Sequence, residues 1–94
     1  MLLNIFSHGT EHQELFSKIF KATTIHSSNS LLLIQDGVYF GIYIKELSQY
    51  KNIYALEQDV IARGLINSYP KNITLINYEQ FVNLVIEHEK NITY

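Results

Sequence analysis

One apolar run constrains this chain more than any other stretch. Residues 31–34 read Leu-Leu-Leu-Ile, and the run ends abruptly in Gln35, Asp36 and Gly37. An apolar run without alternation is typical of a strand that is covered on both faces, as in a parallel sheet flanked by helices. Asp36-Gly37 marks the carboxyl end of that strand, because glycine can adopt a positive φ and aspartate can bond to nearby backbone amides. Ligands and partners of open α/β sheets gather at this edge.

Shorter apolar segments predict the rest of a small α/β domain over residues 1–94. Further strands are expected at Leu2–Phe6, Asn52–Leu56 and Ile73–Ile76, with residues 91–94 left open between a short strand and a loose tail. Capping-box patterns at 10–13 and 77–80 predict two helix starts, and residues 57–63 predict a short helix followed by Gly64. The expected architecture is a three-layer α/β/α sandwich with a mostly parallel sheet of four to five strands. The buried stripe of the last helix is predicted to be Tyr78, Phe81, Val82, Val85 and Ile86.

The segment from Val38 to Tyr50 has two competing interpretations. Asp-Gly between two β-prone runs is a strong hairpin signal, and β-propensity favours a strand here. The helical alternative places Tyr39, Tyr43 and Tyr50 on one face and Phe40 on a neighbouring one, which favours a helix. Such a helix is apolar almost all round, so its outer side should also be covered. It is therefore the first place to look for a subunit contact.

Composition supports a partner and excludes several functions. The chain has 17% charged and 47% hydrophobic residues, fewer charges than the usual share of about 25%, which indicates that another subunit covers part of its surface. A net charge of -2 provides no basic footprint for nucleic acid or an anionic membrane. No stretch resembles a secretory signal or a membrane span, so a cytoplasmic location is expected. The cysteine count is zero, which excludes disulfides and any thiol nucleophile on this chain.

Candidate chemical groups are few, and each also has a structural interpretation. His8 and His12 have the spacing of two helical metal ligands, but Gly9 breaks that helix and surface imidazoles are favoured. Ser7, His8 and Asp36 supply the residue types of a hydrolytic triad, without a nucleophile elbow or oxyanion loop. His88 is expected at the solvated end of the last helix. No catalytic residue, metal site or cofactor is predicted.

Arg63 is the only arginine of the chain. One interpretation is a bidentate contact to a carboxylate across a subunit boundary, to a partner chain or to Asp36 or Asp59. The other is a cation that caps the last carbonyls of its own helix. The residues predicted to form a subunit interface are Asp36, Gly37, Tyr39, Phe40, Tyr43, Tyr50 and Arg63.

Three segments together resemble the TusB/DsrH family. They are Leu-Leu-Leu-Ile-Gln-Asp-Gly-Val38, then Ile-Tyr-Ala-Leu-Glu-Gln-Asp-Val-Ile-Ala-Arg-Gly-Leu65, then Tyr-Glu-Gln-Phe-Val82 with a closing Tyr94. The resemblance covers essentially the whole chain. It implies a DsrE-like α/β/α fold in which the Gln-Asp-Gly turn leads into a helix rather than a hairpin.

The resemblance also implies a function. Members of this family assemble with TusC and TusD homologues as a dimer of heterotrimers, which relays persulfide sulfur from a TusA-like donor to a TusE-like acceptor for 2-thiolation of the tRNA wobble uridine. In the family the sulfur-carrying thiol belongs to TusD. Some relatives have a cysteine on the first helix, where this chain reads Ser17-Lys-Ile-Phe-Lys21. The departure implies a non-catalytic, scaffolding subunit, without direct contact to nucleic acid or membrane. The alternative is a free-standing flavodoxin-like module that binds a small anion or nucleotide.

Overall fold

The centre of the fold is a parallel sheet, seen in a computed structural model that describes residues 2–9, 14, 30–43, 52–88 and 90–93. Within these residues the sheet has five strands in the order β4-β3-β2-β1-β5. All four neighbouring pairs run parallel. The strands are β1 (Leu2–Phe6), β2 (Ser30–Leu33), β3 (Asn52–Leu56), β4 (Thr74–Ile76) and β5 (Lys90–Thr93). The Leu31 run therefore lies in the middle strand, and the predicted parallel sheet is confirmed.

The middle strand is buried on both faces, as its unbroken apolar sequence predicts. Leu31 and Leu33 pack into one core with Phe6, whereas Leu32 packs into a second core with Leu3. Successive side chains of a strand point to opposite faces, so the two cores lie on opposite sides of the sheet. Polar residues at 31, 32 or 33 would enter one core or the other.

Helices cover the two faces unequally within the described residues. The bounds are a 3-10 helix at Gln35–Tyr39, α1 at Phe40–Tyr43, α2 at Glu57–Ala62 and α3 at Tyr78–Glu87. Val38, Phe40 and Val60 belong to the first core, so the 3-10 helix, α1 and α2 lie on its side. Leu84 of α3 belongs to the second core. The connection from β4 to β5 crosses the sheet in the opposite direction to the connections from β2 to β3 and from β3 to β4. Because crossovers between parallel strands are right-handed, α3 lies on the opposite face.

The Asp36-Gly37 turn leads into a helix, so the hairpin interpretation is wrong. Strands β2 and β3 pair in parallel, which a two-residue hairpin cannot produce. Residues 40–43 form α1, and the predicted continuation through Tyr50 lies outside the described residues. The segment forms a helix despite its high β-propensity, because the helix buries Phe40 completely in the first core.

The predicted ends of the elements mostly agree with the structure. Strand β4 begins at Thr74, one residue later than predicted, and α2 ends at Ala62. Gly64 adopts a φ of 69° after α2, as a helix-ending glycine should. The box at 77–80 is formed, with both reciprocal bonds at 2.8 Å. The box at 10–13 lies outside the described residues. Glu14, which is described, is helical and exposed.

The predicted buried stripe of α3 is only partly right, the prediction for His88 is wrong, and one open question is answered. Phe81 and Val85 pack on the second core as predicted, together with Leu84, whereas Tyr78, Val82 and Ile86 are exposed. His88 is buried rather than solvated. Its Nδ1 lies 2.8 Å from the Leu84 carbonyl oxygen, and its Nε2 is buried without a hydrogen-bond partner. Residues 90–93 do form a strand, β5, which pairs with β1.

Candidate subunit interface at the carboxyl edge of the sheet

The turn after β2 is built directly onto the end of β1. The Ile34 amide donates to the Phe6 carbonyl at 3.1 Å, and the Gly37 amide donates to the Ile34 carbonyl at 2.8 Å. Gln35, not Gly37, has the positive φ, at 51°. Gly37 is required for a different reason, since a Cβ there would overlap the Phe6 carbonyl oxygen. The turn after β2 is confirmed, but the positive φ expected at Gly37 is wrong; Gly37 is needed for close backbone approach instead.

A clamp of three charged side chains holds this turn against α2. We call Asp36, Asp59 and Arg63 the clamp. Asp59 Oδ2 accepts the Gln35 amide at 2.7 Å. Arg63 Nε donates to Asp36 Oδ1 at 2.9 Å, and Arg63 Nη1 lies 3.6 Å from Asp59 Oδ1. Arg63 Nη1 also donates to the Asp59 backbone carbonyl at 3.3 Å. Arg63 therefore contacts both of the carboxylates named for it, each through a single nitrogen rather than a bidentate pair, and it also bonds a carbonyl of its own helix.

The clamp fixes geometry more than it adds stability. The Asp36 side chain is 58% exposed and that of Arg63 is 22% exposed, so water screens the pair, which contributes at most about 1 kcal/mol. Asp59 satisfies the backbone amide of Gln35, the residue of the turn that adopts a positive φ. The clamp therefore orders the turn and presents one Asp36 carboxylate edge outward.

The electrostatics of this edge suit cationic or hydrogen-bond-donating partners. Two carboxylates surround one guanidinium, which leaves a formal charge of -1 on the clamp. The guanidinium already contacts both carboxylates. An incoming phosphate would have to displace Asp36 or Asp59 and face their charges. The arrangement therefore disfavours an anion or nucleotide at this position.

The predicted interface residues are distributed between surface and core. Asp36 is exposed, and Tyr39 and Arg63 are half-buried. Gly37 is buried, and Phe40 is fully enclosed with its ring edge-on to Phe6 at 5.0 Å. Phe40 therefore supports the turn from beneath and is not available to another chain in this conformation. Tyr43 ends α1, its side chain is not among those described, and Tyr50 lies outside the described residues.

A buried tyrosine, missed in the sequence, anchors the start of α1. The Tyr69 hydroxyl donates to the Val38 carbonyl at 2.8 Å. Burial raises the pKa of Tyr69 above its ordinary value. Gly41 leaves the space for this ring, because a Cβ at 41 would overlap the Tyr69 hydroxyl. No periodic pattern marks Tyr69, which lies in the irregular connection between α2 and β4. The only signal is an aromatic residue before Pro70 in a polar loop.

The other candidate chemistry gains no support. Ser7 is half-buried and His8 is exposed, with its ring edge-on to Phe6 at 6.2 Å. His12 lies outside the described residues. Among the residues that are described, no three His, Cys, Asp or Glu side chains are placed to hold a metal ion. In the same part of the chain, no helix has the length and apolarity needed to cross a membrane.

The fold and the clamp together define a small parallel α/β protein with an ordered turn at the carboxyl edge of its central strand. The family model "DsrH like protein" matches residues 14–91. The chain therefore belongs to the DsrH-like family, as the sequence resemblance predicts.

Relatives and solved structures agree with this assignment. Protein TusB of Yersinia pestis (strain Pestoides F) is 35% identical over 99% of this chain and 100% of its own length. Protein TusB of Yersinia pseudotuberculosis (serotype I, strain IP32953) matches to the same extent. The solution structure of protein Tm0979 from Thermotoga maritima has a TM-score of 0.69 and 31% identity, covering 95% of both chains. The crystal structure of the ychN protein from E. coli has a TM-score of 0.69 at 10% identity, covering 99% of this chain and 97% of that one, and shares the fold alone.

Proposed function

We propose that this chain is a non-catalytic subunit of a TusBCD-type sulfurtransferase complex, which relays persulfide sulfur for 2-thiolation of the wobble uridine in tRNA. The observation that carries the proposal is the match to Protein TusB over 99% of this chain. Membership of the DsrH-like family supports it. The complex acts in the cytoplasm, and residues 1–94 take part as a single domain.

The absence of cysteine determines the role within that complex. A persulfide forms on a cysteine thiolate, and this chain has no cysteine. The relay thiol must therefore lie on another subunit, which the family resemblance assigns to a TusD-like chain. This chain, together with a TusC-like chain, holds that subunit in position between a TusA-like donor and a TusE-like acceptor. It needs no cofactor and makes no direct contact with tRNA.

The clamp edge is the proposed contact surface for a neighbouring subunit. Asp36 offers an exposed carboxylate, with Tyr39 and Arg63 half-buried beside it, while Gly37 and Phe40 support the turn from within the core. We include Tyr43, the last residue of α1, and Tyr50 in the proposed surface. Hydrogen-bond donors or a cation on the neighbour would complement Asp36.

Two measurements test the function. Deleting the gene in its own cell should abolish 2-thiouridine at the wobble position, measured by mass spectrometry of digested tRNA, and the intact gene should restore it. Co-expression with the TusC-like and TusD-like chains should yield one particle of stable mass. Unchanged 2-thiouridine after deletion would refute the proposal.

The contact surface needs a matched pair of variants. Asp36→Lys should reduce recovery of the particle, because it places a cation where the neighbour is expected to carry donors or positive charge. Glu57→Lys makes the same charge change at the exposed start of α2 and should leave recovery unchanged. Equal recovery with both variants would place the contact elsewhere.

A further inference from the structure

Helix α3 carries an apolar surface that the fold does not use. We call Tyr78, Val82 and Ile86 the α3 stripe; their exposed fractions are 62%, 40% and 74%. They are spaced by four residues, so they form one row along the helix. By contrast, Leu84 of the same helix is only 9% exposed and packs on the sheet. Large exposed apolar patches on small proteins mark interaction sites.

The stripe is held in a fixed conformation. The Tyr78 ring stacks on Phe81, with centroids 5.8 Å apart and planes 6° from parallel. Asn77 caps the start of the helix. At the other end, Asn91 of β5 donates to the Val85 carbonyl at 3.2 Å. A rigid aromatic residue on an anchored helix loses little entropy on binding, which is typical of residues that dominate an interface.

The groove on the other side of α3 differs in character. This open groove of about 280 Å³ lies between α3 and the β3-β4 edge. The helix residues that line it are Gln80, Asn83, Leu84 and Glu87. At 100° per residue, Asn83 and Glu87 point about 100–140° away from Val82. The exposed helix residues on the groove side are polar, whereas those of the stripe are apolar, so α3 offers one side for an apolar contact.

Charge on α3 indicates what covers the stripe. Both charged residues of the helix, Glu79 and Glu87, are acidic and exposed, and the helix contains no Lys or Arg. The next Lys or Arg along the chain is Lys90, on β5. Glu79 lies about 60° around the helix from Val82 and flanks the stripe, whereas Glu87 belongs to the groove side. Two copies meeting through the stripe would bring their two Glu79 carboxylates to one contact without a basic residue of either helix to offset them. A second copy is therefore a poor occupant, whereas apolar side chains flanked by Lys or Arg are complementary.

We infer that the α3 stripe is a docking surface for a different protein subunit, whose contacting face presents apolar side chains flanked by basic ones. This inference rests on the proposed function, because it assigns one of the subunit contacts that a scaffolding role requires. It places that contact on the face of the sheet opposite the 3-10 helix, α1 and α2. A subunit with these two surfaces can contact two neighbours at once.

The test uses the complex co-expressed with its TusC-like and TusD-like chains. Val82→Asp and Ile86→Asp should each lower the amount of this chain recovered with an affinity-tagged TusD-like subunit at least tenfold. Asn83→Asp adds the same charge to the groove side and should leave recovery unchanged. All three positions are exposed, and circular dichroism of each isolated variant confirms that it is folded.

A second set of variants tests the basic neighbour. Glu79→Lys should weaken recovery most at low salt, whereas Glu79→Gln should reduce the dependence of recovery on salt concentration. The charge prediction is wrong if Glu79→Lys strengthens assembly or has no effect at any salt concentration.

The outcomes separate this inference from the proposed function. If the wild-type chain does not join the complex, both are overturned. If the wild-type chain and both stripe variants join equally well, the function stands and the docking surface is wrong. A discrete wild-type dimer that Val82→Asp converts to the 11.0 kDa monomer, with the complex unaffected, would reassign the stripe to a second copy and overturn the inference.

Discussion

Replacing Gly37 by alanine should destabilise the chain strongly, because the added methyl group has nowhere to go. Its position would overlap the Phe6 carbonyl oxygen and lie 2.8 Å from the Phe6 carbonyl carbon and 3.3 Å from the Ser7 amide nitrogen. All of these are backbone atoms at the end of β1, so no side chain can rotate away. The turn itself must move off the sheet.

The magnitude follows from what that movement breaks. Displacing the turn strains or breaks the Ile34 bond to Phe6 and the Gly37 bond to Ile34, each worth about 1 kcal/mol. Overpacking adds about 1–3 kcal/mol. The reduced freedom of the unfolded chain returns about 0.4–1 kcal/mol. The expected loss is therefore about 2–4 kcal/mol, a large part of the roughly 5–14 kcal/mol that a chain of this size possesses.

Urea unfolding followed by circular dichroism measures this loss, and Gly64→Ala is the matched control. Gly64 has a φ of 69° and open space around its Cβ position, so alanine there should cost about 1 kcal/mol or less. With a slope of about 1 kcal/mol/M, Gly37→Ala should lower the urea midpoint by about 2–4 M. A loss at Gly37 below about 0.5 kcal/mol, or smaller than the loss at Gly64, would refute the close-approach argument.

Three further predictions follow from single contacts. Burial raises the pKa of Tyr69 above its ordinary value, so this residue contributes stability in full below about pH 10. As the pH rises further, this contribution to the free energy of unfolding falls by up to about 1.4 kcal/mol per pH unit, as measured by urea unfolding. Tyr69→Phe should lack this part of the pH dependence, and identical alkaline slopes for the two proteins would contradict the prediction. Asn77→Ala should lower the free energy of unfolding by about 1 kcal/mol through loss of the α3 cap, and calorimetry showing no change in Tm would count against it. A double-mutant cycle of Asp36→Ala and Arg63→Ala should give a coupling energy below about 1 kcal/mol, whereas a value above about 2 kcal/mol would mean that the pair is far less screened than its exposure indicates.

The sequence predicts the sheet well because strands depend on local apolar content. The unbroken run at 31–33 can only be buried on both faces, and the structure places it in the middle strand. The sequence predicts part of the clamp, since Asp36 and Asp59 are among the carboxylates expected to contact Arg63. That the clamp closes within one chain depends on the register between β2 and β3, which no local pattern encodes.

Tertiary packing accounts for the predictions that failed. The apolar positions of α3 cover a wider arc than the sheet can contact, and periodicity does not tell which part of the arc meets it. Packing through Phe81, Leu84 and Val85 leaves Ile86 exposed. His88 is buried because β5 follows it immediately and carries the chain back to the sheet. Tyr69 acts through a single long-range bond, which leaves no trace in the sequence around it.

The pairing of β5 with β1 joins segments from opposite ends of the described chain, with Leu2 beside Lys90 and Ile5 beside Thr93. Closing so long a loop is entropically expensive, so this ladder should form late and slowly during folding. Until it forms, β1 is an open edge that can pair with other chains. If the chain belongs to the complex proposed above, early association with another subunit would also protect the newly made protein from aggregation.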